Sequence, residues 1–558
     1  MKIKTCIWLV CLSGSLAYAQ SGSEQAVFKA MTDEMRRSTD SLHLAGWERP
    51  FFIQYAVQKG RIFQVQATMG ALTGVNEFPL GCMSVQTLAG TYRMSDINHT
   101  SSDYRSGSGR DAAPLDDNYG EIRRRLWLLT DQTYKRAIEA YSAKMTAVKR
   151  QNLPEEVRDL PDFTPLPATV YRDENTETDS NGEYWKQLAR RCSSVFGNYP
   201  DIYGSNVGIE VYSGNVYSLN SEGTRLTHPV RMIAIAVNAY TKSADGEEIS
   251  DRLTYYGWVR EDMPSAERLS EETDRMAANL MALAGAPAME ESYTGPVMLE
   301  GAALSSAMVS GLLAAQTGLV AYRTPIRSGG GQKSMEDRIN RKVLSSDITV
   351  KSVPSWKEYD GQRLIGSYDM DAEGVAPAGE LLLIENGMLR TLMCDRVPKK
   401  KIRTPTGHRI YAYLPQDIST SVSPGVLSIR TSQGYAGDVL KNMLLEAAGA
   451  EGLEYAYIIR SLPNGRYASL YKVLVADGSE QPVRAGNISH IGLPALKRAL
   501  GASAEVEVSN MIAGNVPLSV ICPGAMIIEE IDIEKRNLQN TTKLPTVRNP
   551  LRRHEQQR

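Results

Sequence analysis

Two hydrophobic periods alternate along this chain. From Ser23 to about Leu44, Val27, Met31 and Met35 recur among charged residues at the spacing of one helix face, which predicts an amphipathic helix. Residues 51–69 (FFIQYAVQKGRIFQVQATM) predict strands joined at a Lys59-Gly60 turn, and 82–98 also reads as extended. The polar, Gly/Ser-rich stretch 101–118 predicts a loop. Over 121–145, Ile122, Leu126, Leu129, Tyr134 and Ile138 return at helical spacing, and the proline-containing segment 154–167 predicts a linker or crossover. A short helix is expected near 183–195. Residues 207–240 alternate with period two around turns at Ser213-Gly214 and Ser221-Glu222-Gly223, which predicts an antiparallel sheet. Leu269, Met276, Leu280 and Leu283 then mark a helix over 264–285, stopped by Gly285 and Pro287.

The main boundary falls near 286–293. Beyond it come a strand at 295–299, a helix of unusually small residues at 302–316, a loop at 324–334 and, from about 345, strands and hairpins interrupted by helices at 436–449 and 493–501. The predicted class is α+β: an N-terminal mixed sheet-and-helix domain over 20–290, then a β-rich C-terminal domain of curved antiparallel strands over 291–535. The basic tail 536–558 has no apolar period, and no internal repeat of fixed period occurs.

Residues 1–19 are expected to be a signal peptide: Lys2 and Lys4 precede the apolar run Cys6 to Leu12, and Ala17-Tyr18-Ala19 precedes Gln20. That run is too short to span a bilayer, and no later one is long enough, so an exported, soluble mature protein is predicted, periplasmic or extracellular. Composition agrees, since 42 % hydrophobic and 23 % charged residues exclude collagen-like, disordered and polytopic membrane classes. With 62 Lys+Arg against 64 Asp+Glu, the net charge of −2 offers no field to attract nucleic acid. Four cysteines remain after signal removal, Cys82, Cys192, Cys394 and Cys522, too far apart in sequence for a CxxC spacing, and they read as isolated buried thiols.

The residue chemistry shows no catalytic apparatus. His43, His99, His228, His408, His490 and His554 include no pair one helical turn apart, as a helical zinc site needs. Asp369, Asp371, Glu373, Gly374 and Glu380 match the positions of a calcium-binding EF-hand loop, but the flanks are strand-like and Pro377 stiffens the loop, so a solvated acidic hairpin is expected. Gly329-Gly330-Gly331-Gln332-Lys333-Ser334 lacks the spacing of a phosphate loop, and no G-x-S-x-G elbow occurs.

Ordered motifs in the second half are more informative. Gly295-Pro296-Val297-Met298-Leu299-Glu300 before the small-residue helix, Arg338 to Leu344, Ile365 to Asp369 with Glu373-Gly374-Val375, and Leu383 to Leu389 form one series. Asp395-Arg396, Thr406-Gly407-His408-Arg409, Ser519 to Gly524 and Glu529 to Ile533 continue it. In this order they resemble the TldD/PmbA family of metallopeptidase-related proteins over about residues 264 to 535. The resemblance implies the α+β fold above. It also implies, for catalytic members, an H-E-x-x-x-H helix and a cysteine that hold zinc, with the glutamate as general base. Counted from Gly295, the histidine positions fall near Val309 and Ala314, the glutamate near Ser310 and the cysteine near Ser509. No histidine lies between His228 and His408, so no shift in the count restores the site.

The resulting expectation is a metal-free, noncatalytic member with no cofactor: a peptide-binding subunit forming a homo-oligomer, or a hetero-oligomer with a catalytic family homologue. Thr406, Gly407, His408 and Arg409 are the candidate peptide-binding residues. Two alternatives remain open: a hydrolase that uses other residues, with His408 as its imidazole, and an envelope structural or glycan-binding protein suggested by the 27 tyrosines.

Overall fold

The computed structural model describes residues 22–47, 49–99, 108–150, 159–173, 181–314, 318–323, 335–414, 416–461 and 469–537. The expected signal segment 1–19, the expected loop 324–334 and most of the basic tail lie outside them.

The first half opens with helix α1 (Gly22–Ser41), then strands β1 (Phe52–Thr68), β2 (Ala71–Leu88) and β3 (Ser108–Ala112), and helix α2 (Tyr119–Arg150). Strand β4 (Val170–Arg172), helix α3 (Gly182–Ser194), strands β5 (Gly204–Asn220), β6 (Arg225–Lys242) and β7 (Glu248–Gly257), and helix α4 (Ala266–Gly285) complete it. The strands form one seven-stranded sheet in the order β3-β2-β1-β5-β6-β4, with β7 also on β6.

Side-chain alternation assigns the two faces of this sheet. Odd-numbered Ile53, Tyr55 and Val57 of β1 lie under α1 and α2, where Val27, Met31, Ile122 and Leu126 cover them, and Val65 and Ala67 lie with Trp185 and Leu188 of α3 and Leu269 and Met276 of α4. Even-numbered Ala56 and Ile62 face the other way, toward Ile418 and Tyr413 of the second half.

The second half begins with β8 (Tyr293–Glu300) and helix α5 (Gly301–Leu312). There follow β9 (Ile348–Ser352), β10 (Glu358–Tyr359), β11 (Gln362–Arg363), β12 (Leu381–Glu385), β13 (Met388–Leu389), β14 (Arg409–Tyr411), β15 (Thr420–Val422), β16 (Val426–Thr431) and β17 (Gly434–Tyr435). Helix α6 (Gly437–Ala450), β18 (Tyr455–Ser461), β19 (Ser469–Leu474), β20 (Glu480–Val483), β21 (Gly486–Ile488) and the short helix α7 (Leu493–Leu496) come next. Strands β22 (Ala499–Ser503), β23 (Val506–Ala513), β24 (Val516–Pro523) and β25 (Ala525–Lys535) end the described chain. The main sheets run β13-β12-β9-β16-β24-β23 and β17-β22-β25-β8-β18-β19-β20, mostly antiparallel. Helix α5 is buried between them: Ala303, Leu304, Ala307 and Met308 share one core with Val297 and Leu299 of β8, Val350 of β9 and Leu518 and Val520 of β24. Met298, pointing the opposite way from Val297 and Leu299, lies under Leu440 and Leu444 of α6.

Several sequence expectations need correction. Lys59-Gly60 and Ser213-Gly214 are not turns but midpoints of continuous strands, and Gly60 pairs directly with Gly214. The strands approach so closely there that a Cβ on Gly60 would sit 2.6 Å from the Ser213 carbonyl oxygen, and one on Gly214 2.4 Å from that of Lys59. Glycine serves this contact, not a reversal. The actual β1–β2 turn is Met69-Gly70, both at positive φ. The expected loop 101–118 includes strand β3, which pairs with β2 from Cys82 to Gln86. Of the expected linker 154–167, the described part is packed, with Leu160 and Phe163 buried. The helix expected at 493–501 ends at Leu496, because Ala499, Gly501 and Ala502 pair with β25. The acidic segment at 369–380 is not a solvated hairpin. Asp371 is 1 % exposed and accepts from the backbone N–H groups of Glu373, Val375 and Arg409.

Candidate functional site

Helix α5 follows β8 through Gly301, whose φ of +53° turns the chain into the helix. Its Ser305 hydroxyl is buried 2.9 Å from the Ser509 hydroxyl of β23 and 3.3 Å from the Cys522 sulfur of β24. The three side chains satisfy one another. Burial pushes the Cys522 thiol up to about 11, so it is protonated at neutral pH. One turn along the helix from Ser305, Val309 is half-buried, and the exposed Ser310 hydroxyl lies 3.4 Å from Nδ1 of His490.

Beside this cluster runs a groove of about 860 Å³. One bank is β7 with the residues leading into α4, and the other is β23 with the β10–β11 hairpin, while Ala302 and Ser306 of α5 contribute to its lining. Both β7 and β23 are edge strands, since β7 pairs with β6 and β23 with β24 among the described residues. The β7 bank is charged and is tied both within itself and to the hairpin of the opposite bank. Arg363 Nε donates to Asp262 Oδ1 at 2.8 Å, Asp262 Oδ2 accepts from the N–H groups of Trp258 and Val259, and Glu272 takes up both Arg268 and the Tyr255 hydroxyl. Asn510 of β23 donates to the Arg363 carbonyl oxygen at 2.8 Å and accepts from the Ser519 hydroxyl at 2.7 Å, which fixes the hairpin over the groove.

The residues singled out from sequence lie elsewhere. His408 is fully buried: its Nε2 is 2.9 Å from the Ser352 hydroxyl and its Nδ1 2.8 Å from the Thr406 carbonyl oxygen. Burial lowers it to about 4, so this imidazole is neutral and closed off. Thr406 Oγ1 accepts from Cys394 N and donates to Cys394 O, and Gly407, at φ +73°, lies against the backbone of Pro377. Arg409 donates to Asp395 and Thr420. These four residues are brought together as an internal tie and do not line the groove. The EF-hand-like carboxylates do not converge either, because Asp369 pairs with Lys357, Glu380 with Lys351, and Glu373 accepts from Arg396 N.

Sequence reading located helix α5 and Ser509, but not the opposite bank. Its residues Arg252, Tyr255, Asp262 and Arg268 lie in the first half, and no local spacing relates them to residues some 250 positions later. The four cysteines are free and buried, as their isolated spacing suggested.

Residues 296–535 match the PmbA/TldA metallopeptidase C-terminal domain, which defines the class as metallopeptidase-related. The whole fold agrees with it. A crystal structure of a candidate modulator of a DNA gyrase from Thermotoga maritima aligns over 91 % of this chain and 99 % of its own, with 15 % identity and a TM-score of 0.56. TldE from Thermococcus kodakarensis aligns over 90 % and 100 %, with 12 % identity and a TM-score of 0.55. A candidate modulator of DNA gyrase from Bacteroides thetaiotaomicron aligns over 92 % and 99 %, with 13 % identity and a TM-score of 0.57. The second half of the chain thus resembles the PmbA/TldA C-terminal domain, and the whole chain shares the fold of these three structures. No curated protein matches it.

The metal implied by a metallopeptidase domain has no matching donor set among the described residues. Zinc requires deprotonated thiolate, imidazole or carboxylate donors converging on one point. The cluster at α5 offers two hydroxyls and a protonated thiol, and among the described residues no group of three or more His, Cys, Asp or Glu could hold a metal ion. The groove is bordered by two strand edges, and the hydroxyl–thiol cluster beside it is satisfied internally.

Proposed function

We propose that this protein is an exported, noncatalytic, peptide-binding member of the TldD/PmbA family, which works as a homo-oligomer or as the partner of a zinc-containing homologue. The observation that carries the reading is the groove between two edge strands, lined in part by α5 and by Ser509, whose hydroxyl is tied up with Ser305 and the protonated Cys522 thiol instead of forming a metal donor set. An extended peptide gains main-chain hydrogen bonds from an unpaired strand edge with little demand on its sequence. Export is supported by the N-terminal segment Lys2 to Ala19, and the described residues include no helix long and apolar enough to cross a membrane.

The test pairs metal analysis with peptide titration of the mature protein. Less than about a tenth of an equivalent of zinc with no saturable uptake is expected, together with binding of an extended aliphatic peptide that stays uncleaved. Ala302→Trp, at an exposed groove position, should weaken that binding at least about tenfold, roughly the worth of one to two main-chain hydrogen bonds, without lowering the melting temperature. One tightly held zinc, or cleavage of the peptide, would overturn the noncatalytic reading. Co-purification with a zinc-containing homologue would support the partner form.

A further inference from the structure

Helix α2, 32 residues and about 48 Å long, is the longest among the described residues. Its inner stripe of Ile122, Leu126 and Leu129 shares one core with α1 and β1. The stretch Arg123-Arg124-Arg125-Leu126-Trp127-Leu128-Leu129 sets two more large apolar residues where the helix meets water, since Trp127 and Leu128 are each 45 % exposed. Leu115, four residues before the helix, is 62 % exposed. Single exposed apolar residues are ordinary on a protein surface, but an adjacent pair on a helix that already buries a complete stripe contributes little to its packing.

The solvent side of α2 is also basic. Apart from the buried Lys144, the helix carries seven Lys and Arg against three acids, Glu121, Asp131 and Glu139, all of them exposed or half-buried, whereas the whole chain has a net charge of −2. Arg124 and Arg125 share the single carboxylate of Glu121, and Arg125 also reaches Asp111 at 3.3 Å. Lys135 pairs with Asp131, while Arg136 donates to the uncharged Ser108 carbonyl oxygen. Lys149 and Arg150, both exposed, end the helix. Trp127 lies one turn from Arg123 and Arg124, and Leu128 one turn from Arg124 and Arg125, so guanidinium groups on apolar stems border the pair.

This combination fits a lipid surface better than a protein one. Two side chains on the outer side of a helix bury far less than the roughly 800 Å² per partner that a stable protein interface needs. Shallow insertion of an apolar tip together with several basic residues is enough for reversible binding to an anionic bilayer, and an indole ring favours the headgroup level. No helix of the described residues is long and apolar enough to cross a membrane, so α2 would lie on the surface and not span it.

We propose that the outer side of α2 is a docking surface for an anionic lipid bilayer, with Trp127 and Leu128 inserted among the headgroups and the basic residues of the helix facing the lipid phosphates. Nothing in this assignment depends on the groove or on the absence of a metal donor set.

Flotation of the mature protein with vesicles of phosphatidylcholine alone, or with about 30 % phosphatidylglycerol, tests it. Binding to the anionic vesicles is expected to be at least about tenfold stronger than to the neutral ones, because each basic residue near such a surface is worth about fivefold. At about 1 M NaCl, where the screening length is about 3 Å, that preference should fall at least about fivefold. Trp127→Ser combined with Leu128→Ser should weaken binding at least about tenfold without lowering the melting temperature, since both side chains face water. Lys135→Glu combined with Lys149→Glu should remove the preference for anionic lipid while leaving the melting curve intact. Vesicles with brominated acyl chains should quench tryptophan emission, and Trp127→Phe should remove most of that quenching, which separates insertion from purely electrostatic adsorption. Equal binding to both vesicles, no binding, binding that survives the loss of Trp127 and Leu128, or quenching unchanged in Trp127→Phe overturns the proposal. A concentration-dependent dimer that Trp127→Ser dissolves, with no vesicle binding, assigns the face to a second copy of the chain and overturns it as well.

Discussion

His408 shows how burial changes the meaning of a residue type. As a histidine within an ordered motif it is the candidate imidazole of a hydrolase, yet Ser352 and Thr406 engage both ring nitrogens inside the protein. An unfolded histidine titrates near 6.5, whereas folded His408 takes a proton only near about 4. Between those values the unfolded chain binds the proton and the folded chain does not. The stability His408 contributes is therefore fully present above about pH 6.5 and is lost as pH falls toward about 4. His408→Gln, which cannot take up this proton, should melt below the wild type at about pH 7.5. That gap should narrow at about pH 4.5, as read by thermal denaturation at the two pH values. The same reasoning explains why the candidate residues 406–409 were legible as a motif but not as a site: sequence shows residue types, and accessibility comes from what packs over them.

At the scale of elements, most helices and strands followed from hydrophobic period, because α1, α2, α3, α4 and α6 each bury one stripe and the long strands of the first sheet alternate cleanly. Errors arose where glycine was taken as a stop. Gly60 and Gly214 face each other in mid-strand, and the reason is a close backbone approach that no local window contains. Gly214→Val should accordingly destabilise the protein by about 1–3 kcal/mol through overpacking, seen as a lower melting temperature, whereas Gly74→Val, with open space around its Cβ position, should leave the melting temperature close to wild type. The short helix α7 makes the complementary point. Residues 499–502 have helical neighbours in sequence, but pairing with β25 claims their backbone groups.

For the whole molecule, the two halves are joined by buried charge as well as by apolar contact. Arg396 is 2 % exposed, donates to both oxygens of Glu222 at 2.7 and 2.8 Å and to the Thr164 carbonyl oxygen, and stacks on Phe163 at 4.0 Å. Nearby, Arg323 donates to Asp162 at 2.9 Å, and Asp162 also pairs with Lys144. Removing one member of such a pair strands the other in low dielectric. Arg396→Met should cost about 3–5 kcal/mol, and adding Glu222→Gln should recover part of the loss. Thermal unfolding, with limited proteolysis to detect loosening between the halves, checks both outcomes.

The sequence by itself determined the class of elements, the α+β order, the resemblance of the second half to the PmbA/TldA domain and the absence of histidines between His228 and His408, because period, turn chemistry and ordered motifs are local or nearly so. Only the tertiary structure decided which of these residues form a site. The groove joins β7 to β23 across a separation in sequence that carries no periodic signal. It also decided that Ser305, Ser509 and Cys522 meet, since a hydroxyl and a thiol at α5 acquire their partners only when two sheets close around the helix.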